Sequence, residues 1–161
     1  MKFVLSPFGL VEDPMLIAKW STDSHYANFF QSIGMIPTME ECRNYPGWTG
    51  NSVMMIRSAT TAETMGVVSM YRPIYRNGTV EAGILIDKKY QGNKLGERAG
   101  LKWISYLASL GFRKIIVNII EEKLQRRLLE NGFVLEGVHK DEVNIDGQYV
   151  DEYRMAYTVR K

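Results

Sequence analysis

Cysteine is nearly absent from this sequence, which contains only Cys42 among its 161 residues. A single thiol excludes a disulfide framework within the chain and any cysteine-rich metal site. Long hydrophobic runs are also missing. The apolar stretch Phe3-Val4-Leu5 ends at Ser6-Pro7, which is too short for a signal peptide or for a membrane-spanning helix of about 20 residues. We therefore expect a soluble, cytoplasmic protein with no membrane partner.

An excess of charge of one sign is missing as well. Twenty basic residues stand against eighteen acidic ones, a formal net charge of +2, so we expect no nucleic-acid partner. Apolar residues make up 45% of the chain and charged residues 24%, as in ordinary globular proteins. The length and the lack of repeats or linkers predict a single domain, residues 1–161.

The order of the predicted elements indicates a mixed α/β fold. Short helices are predicted at Met15–Trp20 and from Thr38, where Thr38 and Glu41 have capping-box spacing. Antiparallel strands, a strand–helix–strand–helix unit and a closing hairpin follow. The predicted strands are Ser52–Ser58, Thr64–Ile74, Val80–Ile86, Lys114–Ile120, Val134–Asn144 and Tyr149–Val159, and the later helices are Leu95–Leu110 and Glu122–Glu130. Asn77-Gly78 and Asp146-Gly147 are typical of tight hairpin turns.

The segment that joins strand Val80–Ile86 to the helix at Leu95 has the clearest chemical signal. It reads Gln91-Gly92-Asn93-Lys94-Leu95-Gly96. Backbone N–H groups at a helix start have no partner within the helix, so an anion such as a diphosphate fits there. Gly92 and Gly96 would let a ligand approach the backbone. Alternatively, the glycines only make a tight turn. The spacing fits neither the dinucleotide fingerprint nor a P-loop.

This loop resembles the acyl-CoA pyrophosphate loop of the GNAT superfamily of N-acetyltransferases, written R/Q-x-x-G-x-G/A. Gln91 matches the first position and Gly96 the last, while Lys94 replaces the middle glycine. The stretch from Leu128 to Phe133 is similar to that family's L-x-x-x-G-F. Residues 144–155 resemble the closing hairpin of the branch that includes ribosomal-protein N-terminal acetylases and polyamine acetylases. The resemblance covers roughly residues 50–160.

The resemblance implies a fold and a cofactor site. The fold is a twisted, mostly antiparallel sheet of about six or seven strands with flanking helices, in which the parallel strands Val80–Ile86 and Lys114–Ile120 splay apart. Acetyl-CoA is the implied co-substrate, and its pantetheine arm would lie in that cleft. The implied cofactor contacts are the backbone of Ile84, Leu85 and Ile86, the loop residues Gln91, Gly92, Asn93, Lys94, Leu95 and Gly96, and the side chains of Glu121 and Arg126. The N–H of Leu85 would face the thioester oxygen. Arg126 could instead simply be exposed to solvent.

Acyl transfer to an amine needs a general base, because an amine with a pKa of about 8–10 is mostly protonated at pH 7. Glu81 matches by position a glutamate that many members of the resembling branch use for this purpose. Alternatively, it is a solvated residue beside the Asn77-Gly78 turn. The usual proton donors for the leaving thiolate are replaced by Leu124 and Leu128. Solvent or another tyrosine would then supply the proton, or the enzyme is weak.

The acceptor side is the least defined part of the prediction. Candidate pocket residues are Phe30, Trp48, Tyr71 and Tyr149, although aromatic residues at this density are also typical of an ordinary core. No metal site is predicted. The predicted activity is transfer of an acetyl group to a primary amine by direct attack in a ternary complex. The alternative is a weak or inactive GNAT-fold protein that binds CoA or a protein partner. The acceptor is left open between small molecule and protein, and the exposed strands are compatible with a homodimer.

Overall fold

The computed structural model describes residues 2–26, 29, 38–44 and 53–159. Within these residues, seven strands form one sheet in the order β1-β2-β3-β4-β5-β7-β6. All neighbouring strands are antiparallel except β4 and β5, which are parallel. The strands are β1 Phe3–Pro7, β2 Val53–Ser58, β3 Thr64–Ile74, β4 Thr79–Ile86, β5 Lys114–Ile119, β6 Val134–Ile145 and β7 Gln148–Thr158.

The helices lie in the predicted places. They are α1 Asp13–Ser21, α2 Met39–Arg43, α3 Leu95–Ser109 and α4 Glu122–Glu130, with short 3-10 helices at Ser24–Tyr26, Tyr75–Asn77 and Lys88–Tyr90. The predicted fold class, a mostly antiparallel sheet with one parallel pair and flanking helices, is confirmed. Among the residues described, no helix is both long enough and apolar enough to cross a membrane.

Strand β1 is not predicted by the sequence pattern, which indicates an irregular start. It is an edge strand that pairs antiparallel with β2, from Phe3 opposite Ser58 to Pro7 opposite Met54. Five residues are too few to show a clear alternation of apolar and polar side chains. Pro7 also argues against a strand, but a proline is tolerated at a sheet edge because its missing N–H has no ladder partner to serve.

The two predicted hairpin turns differ in outcome. Asp146 and Gly147 both have positive φ, 50° and 86°, so the tight turn between β6 and β7 is confirmed. The prediction of a two-residue turn at Asn77-Gly78 is wrong, because Asn77 ends a 3-10 helix and only Gly78 has positive φ. The reason lies in β3, where the register shifts around Arg72, which has a φ of 41°. This bulge displaces the end of β3, so a longer connection is needed.

The two faces of the sheet are covered by different helices. Helix α3 covers one face, and the core between this helix and the sheet includes Trp103, Val80 and Ile115. Helices α1 and α2 cover the opposite face, where Trp20 and Leu85 are buried. Because side chains alternate along a strand, the even-numbered residues of β4 face α3 and the odd-numbered ones face α1. The α1 face is therefore the face that Glu81 and Gly83 share with Leu85.

A cleft separates β4 from β5 because their parallel pairing is short. It runs only from Thr79 opposite Lys114 to Glu81 opposite Ile116. Beyond that pair, β4 continues to Ile86 and β5 to Ile119 without a further bridge between them. The predicted splay is confirmed, and Glu81 lies where it begins.

Candidate active site

Hydrogen bonds at the two ends of β4 show which edge of this strand each of its backbone groups faces. At one end, the Gly78 carbonyl accepts from the Lys114 N–H, 3.0 Å away on the β5 side. At the other end, the Asp87 N–H donates to the Met65 carbonyl, 3.0 Å away on the β3 side. Backbone groups of successive strand residues point to opposite edges. The even-numbered residues of β4 therefore direct their N–H and C=O groups at the cleft, and the odd-numbered ones direct theirs at β3.

This alternation corrects one predicted contact. Ile84 and Ile86 present their backbone groups to the cleft, as the resemblance implies. Leu85 instead points its N–H at β3, where its Cα partner is Val67, so it is not a donor to a thioester oxygen in the cleft. The Ile86 carbonyl accepts from the side-chain amide of Gln91 at 2.9 Å. The N–H of Ile84, the residue before Leu85 on β4, faces the cleft instead.

Residues 91–96, which we call the anion loop, connect β4 to α3. The backbone is open at Gly92, which has a φ of 88° and no atom within 4 Å of the position a Cβ would take. Two N–H groups of the loop are bonded internally, that of Gln91 to the Lys88 carbonyl and that of Leu95 to Asn93 Oδ1. Four others have no acceptor within the described parts of the chain, namely those of Gly92, Asn93, Lys94 and Gly96. With the start of α3 beside them, they form a site suited to an anionic group.

The backbone conformation of Lys94 explains why the GNAT motif has a glycine at this position. It is the N-cap of α3 and adopts left-handed backbone angles, φ 59° and ψ 15°. For a residue with a Cβ this conformation costs about 1–2 kcal/mol, whereas glycine adopts it freely. The geometry of the anion loop is therefore retained with lysine, at the cost of backbone strain.

Comparison of Lys94→Gly with Lys94→Ala measures this strain. The glycine variant should unfold with a free energy about 0.5–1 kcal/mol higher than the alanine variant, because relief of strain exceeds the added chain entropy. Urea denaturation measures the difference. Both variants lose the same charge, so an acetyl-CoA affinity loss common to both reports the lysine's electrostatic contribution. Equal stabilities would contradict the proposed strain.

Asp87 ties the segment that precedes the anion loop to helix α1. Its side chain is 12% exposed and accepts hydrogen bonds from Trp20 Nε1 at 2.9 Å, Lys89 N–H at 3.0 Å and Lys19 Nζ at 3.3 Å. Burial raises the pKa of Asp87, but the hydrogen bonds from Trp20, Lys89 and Lys19 outweigh burial and hold this pKa below its usual range. The sequence reading missed this residue, and the only signal was an acidic residue directly after a strand.

Three further contacts extend the same connection. Lys88 Nζ pairs with Asp23 at 2.7 Å, and its backbone N–H donates to Tyr26 Oη at 2.7 Å. The side chain of Gln91 lies 3.0 Å from His25 Nε2. The side chain of Gln91 therefore holds the loop against β4 and the 3-10 helix after α1. The segment that follows α1 is thus fixed to the segment that leads into the anion loop.

Replacement of Asp87 by asparagine tests this connection. We expect the KM for acetyl-CoA to rise about five- to tenfold, the equivalent of roughly 1 kcal/mol for one weakened charge-assisted hydrogen bond. The folded-state pKa is lowered from 3.8, so the ionised carboxylate stabilises the fold above that value and the gain is lost as the pH falls through the folded pKa. Urea denaturation should show a gap between wild type and variant at pH 6 that closes toward pH 2. A gap independent of pH would contradict this assignment.

Glu81 lies on the α1 face at the point where the cleft opens. Its side chain is 19% exposed, and its Oε1 and Oε2 are each 3.4 Å from an arginine Nη1, of Arg154 and Arg72 respectively. Its Cα partner on β3 is Tyr71, a half-buried residue whose ring lies 6.5 Å from that of Phe29. The structure therefore brings together two residues that were predicted separately, the candidate base Glu81 and the candidate pocket residue Tyr71. The two arginines were not predicted, because neither belongs to a motif.

Other predicted residues lie apart from Glu81 or outside the described chain. Tyr149 is 64% exposed and pairs with Asn144 near the tip of the β6–β7 hairpin, beyond the part of β7 that contacts β5. It is not placed to line a pocket at the cleft. Phe30 and Trp48 lie outside the described residues.

Helix α4 lacks a proton donor at the two positions where the resemblance would place one. Leu124 and Leu128 instead pack with the buried cluster of Ile119, Phe133 and Met155. Glu121 is the N-cap of this helix and is exposed. Arg126 is also exposed.

The family of the chain follows from a match that covers most of its sequence. The family model described as Acetyltransferase (GNAT) domain matches residues 2–133. The chain belongs to the GNAT acetyltransferase family. Membership confirms the prediction of an acyl-CoA-dependent N-acetyltransferase with acetyl-CoA as its co-substrate. A search of curated protein sequences finds no significant match.

Solved structures of other GNAT proteins have the same fold. A spermidine N-acetyltransferase from Vibrio cholerae, in complex with CoA and spermine, is 19% identical with a TM-score of 0.84, over 97% of this chain and 95% of that one. An acetyltransferase of the GNAT family from Bacillus anthracis is 18% identical with a TM-score of 0.76, over 98% of this chain and 95% of that one. These likenesses concern the fold, which includes the closing hairpin beyond residue 133.

Proposed function

We propose that this GNAT protein transfers the acetyl group of acetyl-CoA to a primary amine by direct attack in a ternary complex. The main support is the position of Glu81, a largely buried carboxylate at the point where β4 and β5 separate. A carboxylate on a central strand is costly to bury unless it is paired, and Arg154 and Arg72 each contact Glu81 at 3.4 Å. Here it borders the cleft in which the family places the thioester.

The residues at the cleft fit acetyl-CoA. The four unbonded N–H groups of the anion loop would bind its diphosphate, and the cleft edge of β4 at Ile84 and Ile86 would bond its pantetheine arm. The co-substrate supplies an acetyl group activated as a thioester. The N–H of Ile84 would stabilise the negative charge that develops on the thioester oxygen, because a backbone donor is fixed in place before the reaction.

Glu81 would act as the general base. The acceptor arrives mostly as an ammonium ion and must lose a proton before its nitrogen has a free electron pair. Glu81 takes that proton and the nitrogen forms a bond to the thioester carbon. The carbon–sulfur bond then breaks with its electron pair on sulfur, and the nitrogen releases its second proton to solvent as the amide forms. Proximity of the base to the amine accounts for a rate gain of about 10²–10⁴-fold.

The leaving thiolate takes its proton from solvent in this proposal. Leu124 and Leu128 cannot donate one. Because a thiol has a pKa of about 8.5, its thiolate can leave near neutral pH without a proton donor on the enzyme. A covalent enzyme intermediate at Cys42 has no support. Burial, together with the nearby Glu41 carboxylate, raises the pKa of the Cys42 thiol, and the residue is 0% exposed, so a reactive thiolate is disfavoured.

A thiol-release assay across an amine panel tests the proposal. The panel would contain spermidine, a lysine peptide, a peptide with a free N-terminus, an aminoglycoside and the free amino acids, with mass spectrometry of the products. We expect release of CoA that depends on the amine. When both substrates are varied, the lines of a double-reciprocal plot of the initial rates should intersect. Parallel lines would indicate a covalent intermediate and contradict direct attack.

The alternative function, CoA binding without useful catalysis, is favoured by the leucines on α4. Calorimetry with acetyl-CoA separates the two possibilities. Binding of acetyl-CoA with no turnover of any amine in the panel would support the alternative and reject the proposal.

A further inference from the structure

Two arginines flank the proposed base, and no motif explains them. Arg154 on β7 is 30% exposed and Arg72 on β3 is 77% exposed, and each places an Nη1 atom 3.4 Å from a different oxygen of Glu81. A polycationic acceptor would have to bring a second positive charge close to these guanidinium groups, which like-charge repulsion disfavours. An acceptor with a negative group beside its amine would be attracted instead.

The backbone of β3 is distorted where it places Arg72. The register passes from Tyr71 opposite Glu81 to Ile74 opposite Thr79, so Arg72 lies in a bulge with a φ of 41°. Bulges re-aim side chains and are common beside active sites, and strained residues of this kind often serve a functional site. The bulge sets this arginine beside the carboxylate of the opposite strand.

The contacts between the arginines and Glu81 leave guanidinium donors available to a ligand. Both are single contacts of 3.4 Å, longer than the roughly 2.7–2.9 Å of a strong charge-assisted hydrogen bond. A guanidinium group has five N–H donors in a planar fork that fits a carboxylate with two parallel bonds. Arg154, the less exposed of the two, is the better placed to hold such a group.

Asn118 adds an unused acceptor next to Arg154. It is the Cα partner of Arg154 and lies two residues beyond Ile116, on the same face of the sheet as Glu81. Its Oδ1 is buried, with no hydrogen-bond donor in the described part of the protein. Such a group calls for an explanation, and the N–H of a bound ammonium ion supplies one.

We infer that the acceptor is an amino acid, or another small molecule with a carboxylate next to its primary amine. In an α-amino acid the nitrogen and the carboxylate oxygens are about 3 Å apart, close to the 3.4 Å between Glu81 and each guanidinium. The ammonium binds Glu81 and Asn118 Oδ1, and the carboxylate binds Arg154, with Arg72 closing the site from solvent. This inference rests on the proposed transfer to an amine and names its substrate class.

Matched pairs of acceptors test the inference directly. Each amino acid that is acetylated is compared with the amine that differs only by loss of the carboxylate, and the ratio of the two kcat/KM values is measured for the wild type. We expect a ratio of about 10² or more for at least one pair, because the site's charged donors stay unpaired with the truncated amine. Spermidine serves as the polycationic comparison.

Variants of Arg154 should act on this ratio. In Arg154→Gln it should fall to within about threefold of one, while Arg154→Lys, which keeps the charge but not the fork, should retain part of it. A structural role alone would lower both kcat/KM values together and leave the ratio unchanged. Arg76→Gln, which alters an exposed arginine of the 3-10 helix before β4, is the matched control and should not change the ratio.

The outcomes separate the two proposals. Turnover confined to amines without a carboxylate, or a preference for spermidine over every amino acid, would overturn the inference while the proposed transferase activity stands. No turnover of any amine would overturn both. Because the wild-type ratio needs no variant, poor folding of an arginine variant does not prevent the test.

Discussion

Glu81→Gln should lower kcat by about 10²–10⁴-fold, the usual contribution of a positioned general base. The amide has nearly the same shape but cannot take up the proton of the amine. The KM for acetyl-CoA should change little, because the anion loop and the cleft edge of β4 contribute backbone groups that this substitution leaves in place. Steady-state thiol-release kinetics with either substrate varied measure both parameters.

Two comparisons make this result specific. The residual rate of Glu81→Gln should rise with pH as the fraction of neutral amine increases, since solvent then replaces the missing base. Glu142→Gln changes an exposed glutamate of β6 and should leave kcat unaltered. An unchanged kcat in Glu81→Gln would remove this residue from the mechanism.

The largest expected effect on stability comes from Asp13. Its side chain is fully buried, and its Oδ2 lies 2.6 Å from both Arg57 Nη2 and the Gly9 N–H. Arg57 also donates to Ser6 Oγ and Thr64 Oγ1. These bonds keep its guanidinium group in place when the carboxylate is removed, so its positive charge is left without a partner. Asp13→Ala should therefore lower the free energy of unfolding by about 3–5 kcal/mol, as for other broken buried ion pairs.

An exposed ion pair of equal length is the matched comparison. Lys140 Nζ and Asp151 Oδ2 are also 2.6 Å apart, but Lys140 is 76% exposed. Asp151→Asn should cost less than about 1 kcal/mol. In thermal denaturation, Asp13→Ala should lower Tm by roughly 6–20 °C for a chain of this size, and Asp151→Asn should have little effect. Similar losses in the two variants would show that burial does not set the strength of these pairs.

A double variant separates the effect of an unpaired buried charge from the effect of lost packing. Arg57→Met combined with Asp13→Leu removes both charges and should recover most of the stability lost in Asp13→Ala, because no buried charge is left without a partner. Asp13 Oδ1 has no hydrogen-bond donor among the described residues, so the native pair is itself incompletely satisfied. A double variant as unstable as Asp13→Ala would assign the loss to packing instead.

Local features of the fold could be predicted because their causes are local. The capping box at the start of α2 is confirmed, with the Glu41 N–H donating to Thr38 Oγ1 at 3.2 Å and the Thr38 N–H donating to Glu41 Oε2 at 2.6 Å. The strand–loop–helix that leads into α3 is likewise encoded by consecutive residues. The two-residue turn at Asn77-Gly78 failed as a prediction because a bulge several residues away altered the strand end.

The amino-acid sequence by itself determined the family, the order of strands and helices, the anion loop and the position of Glu81 on a central strand, since each depends on periodicity or on a short motif. Only the tertiary structure decided that Ile84 rather than Leu85 directs its N–H at the cleft, because this depends on which strand pairs with which edge of β4. The same holds for Arg154, which reaches Glu81 across 73 residues of sequence, and for Asp87, which binds Trp20 across 67. No local pattern encodes such contacts, because the sheet register and the packing of α1 create them.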